Sequence, residues 1–598
     1  MKRRSLLFAS LLTCLSTSTA CSDFWYERQA DEGGAGGASG SAGASSGGVH
    51  SGQGGVVEAG SGGSVEPGSG GEPVSGGSAA GAAGGAGSEQ GGTSAEGGVA
   101  SAGAPNGGSV AMGGRASGSG GSSAGGRTDG AGGSGGSGPP PVLVPVDGNL
   151  RLEAESATIS GGATVGTSAT VSNSQYVDLQ ATGRLDFALQ VEAAGFYALQ
   201  INAAVPGAWG QKLNDVYVNE VRLGSFTTDD QNATSAYYLS ERLWLPLQAG
   251  VNTLSIRASW GYTRLDYLEL AGIRKAPTEP APLVNANASE GAQRLMSYLR
   301  DTYTQKLIAG QQGISYVNSI RTITGREPAL VGFDLMDYSS SRVSHGAKSR
   351  EIEDAINWWN NRHGIVTVCW HWNAPTKLYD DMGREWWRGF YTNATYFDLQ
   401  AALADTNSDD YRALITDIDT IAIQLQKLED AGVPVLFRPL HEASGGWFWW
   451  GAKGPAPYLT LWYLLYDRLT NLHQLDNLIW VWNGQAATWY PGDAFVDIIG
   501  EDVYARERDY SPQIGRFSQA LGYTSAYKLV TLSETGGLLD PDRWLQSPAT
   551  WSWFMTWSGE EFIVNEVWNE NSTKRLVYNH DAVITLDELP DLGVYPIE

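Results

Sequence analysis

Eight short apolar runs recur between residues 306 and 557, each giving way at its C-terminal end to polar or aromatic residues: KLIAGQQG, ALVGFDLMD, IVTVCWHW, VPVLFRPLHE, NLIWVWN, VDIIGEDVY, KLVTLSE and WSWFMTW. Near-continuous β-branched and aromatic runs of this length predict parallel strands covered on both faces. Most are separated by amphipathic stretches. The clearest is YRALITDIDTIAIQLQKLEDAG, where Leu414, Ile418, Ile421, Leu425 and Leu428 recur at helical spacing and Gly432 stops the run. Eight such units within residues 284–598 predict an α/β fold, a (β/α)8 TIM barrel.

The pattern differs upstream. Across residues 148–275, runs such as RLEAESATIS, QYVDLQ, GRLDFALQVE, GFYALQINAAV, DVYVNEVRLGSF, RLWLPLQ, NTLSIRASW and TRLDYLEL are set between Gly and Asn turns, which predicts an all-β sandwich of about eight strands. Residues 276–283, beginning APTEPAP, read as a short Pro-rich linker between the two folded parts. Residues 22–147 are dominated by Gly, Ser and Ala and hold too little apolar surface to fold, so a disordered linker is expected there. About a hundred such residues reach roughly 50 to 60 Å. Residues 1–21 pair a basic start with a short apolar stretch, the pattern of an export signal. Thr19 and Ala20 precede Cys21 as in a bacterial lipoprotein signal, although Ser18 stands where Leu is usual. Two readings stay open: a lipid on Cys21 that anchors the protein at the cell surface, or cleavage after Ala20 and release outside the cell. The lipid would be the only link to a membrane.

Composition narrows the partners. A formal net charge of -25 argues against nucleic acid. The 22 Trp and 26 Tyr suit a polysaccharide surface, as they would suit a large aromatic core. With only Cys14, Cys21 and Cys369, no disulfide framework is expected, and Cys369 reads as an inert buried thiol. No Cys or His cluster has zinc spacing, and no phosphate loop follows a strand. A monomer without a catalytic cofactor is expected.

Chemistry in such barrels sits at the C-terminal strand ends. There the runs offer His371 and Trp372, His441 and Glu442, Asn483, Tyr504, Glu534 and Trp557. Cleaving a glycosidic bond needs a proton donor and a second carboxylate, and Glu442 and Glu534 are the candidate pair. Aromatic surroundings in HEASGGWFWWG would raise Glu442 and suit it to be the acid. Glu534, in LSETGG, would stay charged as nucleophile through hydrogen bonds from Tyr504 and Arg438. Asp334, Asp337 and Asp502 also lie near strand ends, and Asp502 is the rival carboxylate.

The motifs RPLHEASGGWFWWG, CWHWNAP, WWRGFYT, NLIWVWN, DVY, LSETGG and WSWFMTW together resemble glycoside hydrolase family 26, especially its endo-β-1,4-mannanases. The resemblance implies a retaining double displacement on β-mannan, with Glu442 as acid/base and Glu534 as nucleophile. It further implies that His441 lines the site and that Trp447 stacks on sugar. His371 and Trp557 would surround the sugar at the cleavage point, Tyr504 would orient the nucleophile, and Arg438 would support it electrostatically. Relatives of that family acting on mixed-linkage β-glucan or β-1,3-xylan, or a silent sugar-binding barrel, are the alternatives. Upstream, the opening EAE, the GFYALQ strand and the closing NTLSIRASWGYTRLDYLEL resemble carbohydrate-binding module family 35. That resemblance implies a structural Ca²⁺ held by Glu153, Glu155 and Asp266, and sugar contact through Trp260 and Tyr262; solvated strand-end charges are the alternative for the three acids.

Overall fold

A computed structural model describes residues 140–207, 210–231, 235–260, 262–277 and 281–597. The export signal and nearly all of the Gly-rich segment lie outside the described residues. Within the span assigned to that segment, Val142–Val144 forms a strand parallel to Arg184–Val191, so the sandwich begins earlier than its sequence pattern.

Two sheets face each other over residues 142–273 around one apolar core that includes Leu185, Leu189, Tyr197, Leu199, Ile201, Leu254, Ile256, Leu268 and Leu270. Arg184–Val191 shows why these residues make a strand of a sandwich: its side chains alternate between half-buried and buried along the whole run. The pattern undercounted strands: two runs each hold two strands, and Thr164–Thr167 and Tyr238–Leu239 lie outside every run. DVYVNEVRLGSF is a hairpin of Lys212–Val218 and Val221–Thr228, reversed at Asn219 and Glu220, whose φ values of 51° and 66° suit a tight two-residue turn. RLEAESATIS is broken by a helical turn at Ala154–Ser156.

The C-terminal part is the expected barrel. Its strands are β1 (Leu307–Gln312), β2 (Leu330–Asp334), β3 (Ile365–Cys369), β4 (Val435–Arg438), β5 (Leu478–Trp482), β6 (Ile498–Val503), β7 (Leu529–Thr535) and β8 (Trp553–Thr556). All pair in parallel, each with the next, and β8 pairs back to β1 to close the ring. Val583–Ile584 adds a short ninth strand beside β1. Ile308, Leu330, Leu436, Ile479, Ile498 and Met555 belong to one core cluster, with the helix Glu290–Thr302 packed against it. The helix read from its leucines spans Asp409–Asp430: Ser408 caps its first turn, Leu414, Ile418, Ile421, Leu425 and Leu428 are buried, and Gly432 beyond it has φ 70°.

Candidate active site

Arg438 ends β4 fully buried, and two carboxylates hold it. Its Nη1 donates to Asp502 Oδ2 at 2.9 Å, and its Nη2 donates to Glu534 Oε1. Asp502 lies on β6 and Glu534 on β7, and they stand opposite each other only because the register slips between Glu501 and Asp502. Such a bulge re-aims side chains beside active sites. Tyr504, just beyond β6, donates its hydroxyl to Glu534 Oε2 at 2.8 Å.

Glu442 arrives from β4 through a strained turn. Leu440 and Glu442 both have φ 52°, in the left-handed region that long side chains rarely adopt. The Glu442 N–H donates to the Asn483 carbonyl at 2.7 Å and to Asn483 Oδ1 at 3.1 Å. Glu442 Oε2 accepts from the Trp447 indole N–H at 2.9 Å. Gly445 permits that reach, since a Cβ there would stand 2.0 Å from the Trp447 ring. One oxygen from each of Glu442, Asp502 and Glu534 lies within 4.8 Å of the other two.

Burial, then the charge of Asp502, pushes both Glu442 and Glu534 up to about 8. Two carboxyls this close in a buried site share protons as a pair. The pair is asymmetric in what faces it. Glu534 meets a guanidinium and a phenol, which favour its charge, whereas Glu442 is given one neutral indole N–H. Burial holds Tyr504 well above its usual range, so it remains a donor. Asp502 is also raised by burial, against the opposing charge of Arg438 and hydrogen bonds from Ser533 and Asn483. The Arg438 ion pair and two donors from neighbouring strands make Asp502 part of the scaffold.

The two histidines form a relay beside these acids. Asp334 accepts from the His371 N–H at 3.0 Å and stands 2.6 Å from His371 Nδ1. Burial alone would raise Asp334, but the adjoining His371 and the hydrogen bonds it gives hold Asp334 below its ordinary value. His371 Nε2 is 3.1 Å from His441 Nε2. Burial, then Arg438, pushes His441 well below the imidazole range, so it is neutral. With Nδ1 of His371 protonated toward Asp334, His441 donates through Nε2 to His371, and its own Nδ1 is a buried acceptor without a partner among the described residues. Phe390, Phe448 and Trp557 surround the His371 ring at 5.2, 5.5 and 5.8 Å.

Arg438, His371, His441, Glu442, Trp447, Tyr504, Glu534 and Trp557 are thus brought together at the barrel mouth. Trp372 is not: it is wholly buried, stacks on Trp370 at 4.0 Å and donates to Asp417 at 2.7 Å. Trp449 and Trp450 are likewise buried and donate to the Trp372 and His441 carbonyls. Asp337 pairs with Arg342 instead. Sequence reasoning passed over Ser533, whose hydroxyl donates to Asp502 Oδ1 at 2.9 Å, because a serine inside a strand carries no signal. On the sandwich, Trp260 is 69% and Tyr262 41% exposed, and the Lys212 ammonium lies over the Trp260 ring at 5.4 Å. Glu153, Glu155 and Asp266 gather at the turn Ser172–Ser174. Ser172 donates its N–H to Asp266 Oδ1 and its hydroxyl to Glu153 Oε1, both at 2.9 Å, and Asn173 reaches Glu155 at 3.3 Å.

Buried paired carboxylates at the C-terminal mouth of a closed (β/α)8 barrel define the class, a glycoside hydrolase. The chain belongs to glycosyl hydrolase family 26, which residues 284–588 match, and residues 150–273 match carbohydrate binding module family 35. A mannan endo-1,4-beta-mannosidase of Thermothelomyces thermophilus is 40% identical over 465 residues, 75% of this chain and 92% of that protein. The crystal structure of a Podospora anserina GH26-CBM35 β-(1,4)-mannanase is 41% identical with a TM-score of 0.51, over 75% of this chain and 99% of that one. A ruminal GH26 endo-β-1,4-mannanase is 28% identical with a TM-score of 0.58, over 74% and 98%.

Proposed function

We propose that the chain is an endo-β-1,4-mannanase that hydrolyses internal bonds of mannan, glucomannan or galactomannan with retention of configuration. The observation that carries the chemistry is the approach of Glu442 and Glu534 oxygens within 4.8 Å. Retaining sites hold their carboxyls about 5 to 5.5 Å apart, whereas inverting ones open to about 6.5 to 9.5 Å to admit a water. The relatives' activities support the substrate.

Glu534 carries the negative charge and attacks the anomeric carbon. As that bond forms, the bond to the leaving sugar breaks and Glu442 gives its proton to the departing oxygen. Glu442, now a carboxylate, takes a proton from water, whose oxygen displaces Glu534 from the anomeric carbon and restores both groups. Arg438 and Tyr504 hold Glu534 charged and aimed. Trp447 serves twice, stacking on sugar and fixing Glu442 through its indole N–H. His371, His441 and Trp557 line the sugar at the cleavage point.

The sandwich binds the polysaccharide through Trp260 and Tyr262 and holds a structural Ca²⁺ with Glu153, Glu155 and Asp266. Glu153 Oε2 and Glu155 Oε2 are buried without partners among the described residues, and Asp266 is raised by burial and then by the neighbouring acids, as expected of oxygens that a hard cation would satisfy. We expect EDTA to lower the melting temperature of the wild type and to leave that of Asp266→Asn unchanged; equal shifts in both would remove the ion from this site. The basic and apolar start of the chain supports export, followed by lipid anchoring at Cys21 on a bacterial surface or by release after Ala20.

The deciding experiment is reducing-sugar release by the full chain on glucomannan, galactomannan, mixed-linkage glucan and β-1,3-xylan, beside Glu534→Ala. Mixed short manno-oligosaccharides from the wild type alone are the expected result. Cleavage confined to glucan or xylan would overturn the substrate, and no release from any polymer would overturn the activity.

A further inference from the structure

We propose, on the reading of Glu442 as acid/base and Glu534 as nucleophile, that Asn483 is a positioning residue whose single amide aligns both carboxylates. It is fully buried just beyond β5 and touches neither reacting oxygen. Its carbonyl end accepts the Glu442 N–H at 3.1 Å, alongside the Asn483 main-chain oxygen at 2.7 Å. Its NH2 end donates to Asp502 Oδ1 at 3.0 Å and to Ser533 Oγ at 2.9 Å. Asp502 in turn braces Arg438, which holds Glu534.

The two ends do different work. Glu442 sits at φ 52°, a conformation that persists only where its surroundings over-determine it, and the two acceptors of Asn483 supply that determination. The NH2 end fixes the carboxylate from which Arg438 takes its aim. A flipped amide would turn its donors on the Glu442 N–H and its oxygen on the Asp502 carboxylate, so the hydrogen bonds set its orientation. The network has no slack against the sheet: a Cβ on Gly500 would stand 2.5 Å from Ser533 Oγ and 3.4 Å from Asn483 Nδ2. A displacement of about 1 Å at such a site costs on the order of a hundredfold in rate.

Two substitutions separate the ends. Asn483→Asp keeps an acceptor for the Glu442 N–H and loses the donors to Asp502. Asn483→Ala loses both. Rates are taken per active site, titrated with a slowly released fluoro-sugar inactivator, on aryl β-mannobiosides with good and poor leaving groups. We expect kcat/KM, which reports the first step, to fall about tenfold or more in Asn483→Asp by the same factor on both substrates. Asn483→Ala should fall further, on the order of a hundredfold, with the larger loss on the poor leaving group because in that step only that substrate needs the proton. KM should move less than about threefold in both. Wild-type rates per titrated site in Asn483→Asp would overturn the proposal, as would a loss in Asn483→Ala that ignores the leaving group. The same ratios are read on aryl glycosides of whichever polymer the wild type cleaves, so an error in the mannan reading appears in the wild type and an error about Asn483 appears only in the variants.

Discussion

In the proposed mechanism, two carboxyls whose pKa is raised alike take opposite roles because of the side chains beside each. Glu442 has an indole N–H, whereas Glu534 has a guanidinium and a phenol. Only a poor leaving group needs the proton, so Glu442→Ala should lose about 10² to 10⁴ in polysaccharide turnover yet retain the first step on activated aryl glycosides. Glu534→Ala should silence both substrates; equal losses in Glu442→Ala would count against acid catalysis. The sign of the pH dependence follows from the same site. Of the pair, Glu442 keeps the shared proton through neutrality while Glu534 is charged beside Arg438 and Tyr504, so polysaccharide kcat/KM should fall as pH climbs through about 8 and Glu442 ionises. With an activated aryl substrate, Glu442→Ala should lack that alkaline limb. The pair was legible in the sequence because each glutamate follows an apolar run. The contact of Trp447 with Glu442 was not, since it depends on a chain reversal through two non-glycine residues at positive φ, which no residue pattern announces. Asn483 could be placed at a strand end, but a buried amide's partners are set by three strands far apart in sequence.

At the scale of elements, β6 shows how one strand serves two sides. Successive side chains point to opposite faces, so Asp502 enters the barrel and Glu501 leaves it. Glu501 is wholly buried; Tyr523 donates to its Oε1 at 2.7 Å, and its Oε2 has no partner among the described residues. Burial raises it to about 7. A carboxyl raised in the folded state contributes stability that is complete below its unfolded value near 4.5 and is lost as pH rises through about 7, because the fold then holds a charge that water would solvate better. About 2.5 units corresponds to roughly 3 kcal/mol as an order of magnitude. Glu501→Gln keeps an acceptor for Tyr523 without the charge, so urea unfolding at pH 5 and pH 8 should show a smaller loss of stability in the variant by up to about that amount. An unchanged pH slope would remove Glu501 from the account. The strands themselves were readable because eight apolar runs repeat. The register slip that sets Asp502 opposite Glu534 was not, since a one-residue bulge leaves the apolar pattern of both strands intact.

Across the whole molecule, the sandwich is seated on the barrel. Trp244, from strand Leu243–Leu247, donates its indole N–H to the Leu521 carbonyl at 2.8 Å, and its own carbonyl accepts from the Ser518 hydroxyl. Phe196 stacks on Phe517 at 5.4 Å, and the Arg274 guanidinium lies 4.0 Å over Tyr527. Phe196 and Trp244 belong to the same apolar cluster as the barrel's helices. Their seat, the helix Ile514–Leu521, packs on the other side against β6 and β7, which carry Asp502 and Glu534. The sequence hid this seam, because a Pro-rich segment between two complete patterns reads as a spacer between independent beads. The buried aromatics argue for one cooperative unit. Truncating a buried Trp costs about 3 to 5 kcal/mol, and this one sits in the seam, so Trp244→Ala should both lower stability and loosen the coupling. Calorimetry should show a single transition for the wild-type sandwich and barrel, and two transitions for the variant, the barrel's lying below the wild-type midpoint. Two resolved transitions already in the wild type, with the barrel's unmoved by Trp244→Ala, would mean that the modules fold independently. Under the cooperative outcome, a barrel cut at residue 283 would expose Phe517 and Leu521 and leave β6 and β7 backed by an unsupported helix. Its loss of activity would then report instability, which is why the assays of catalysis call for the intact chain.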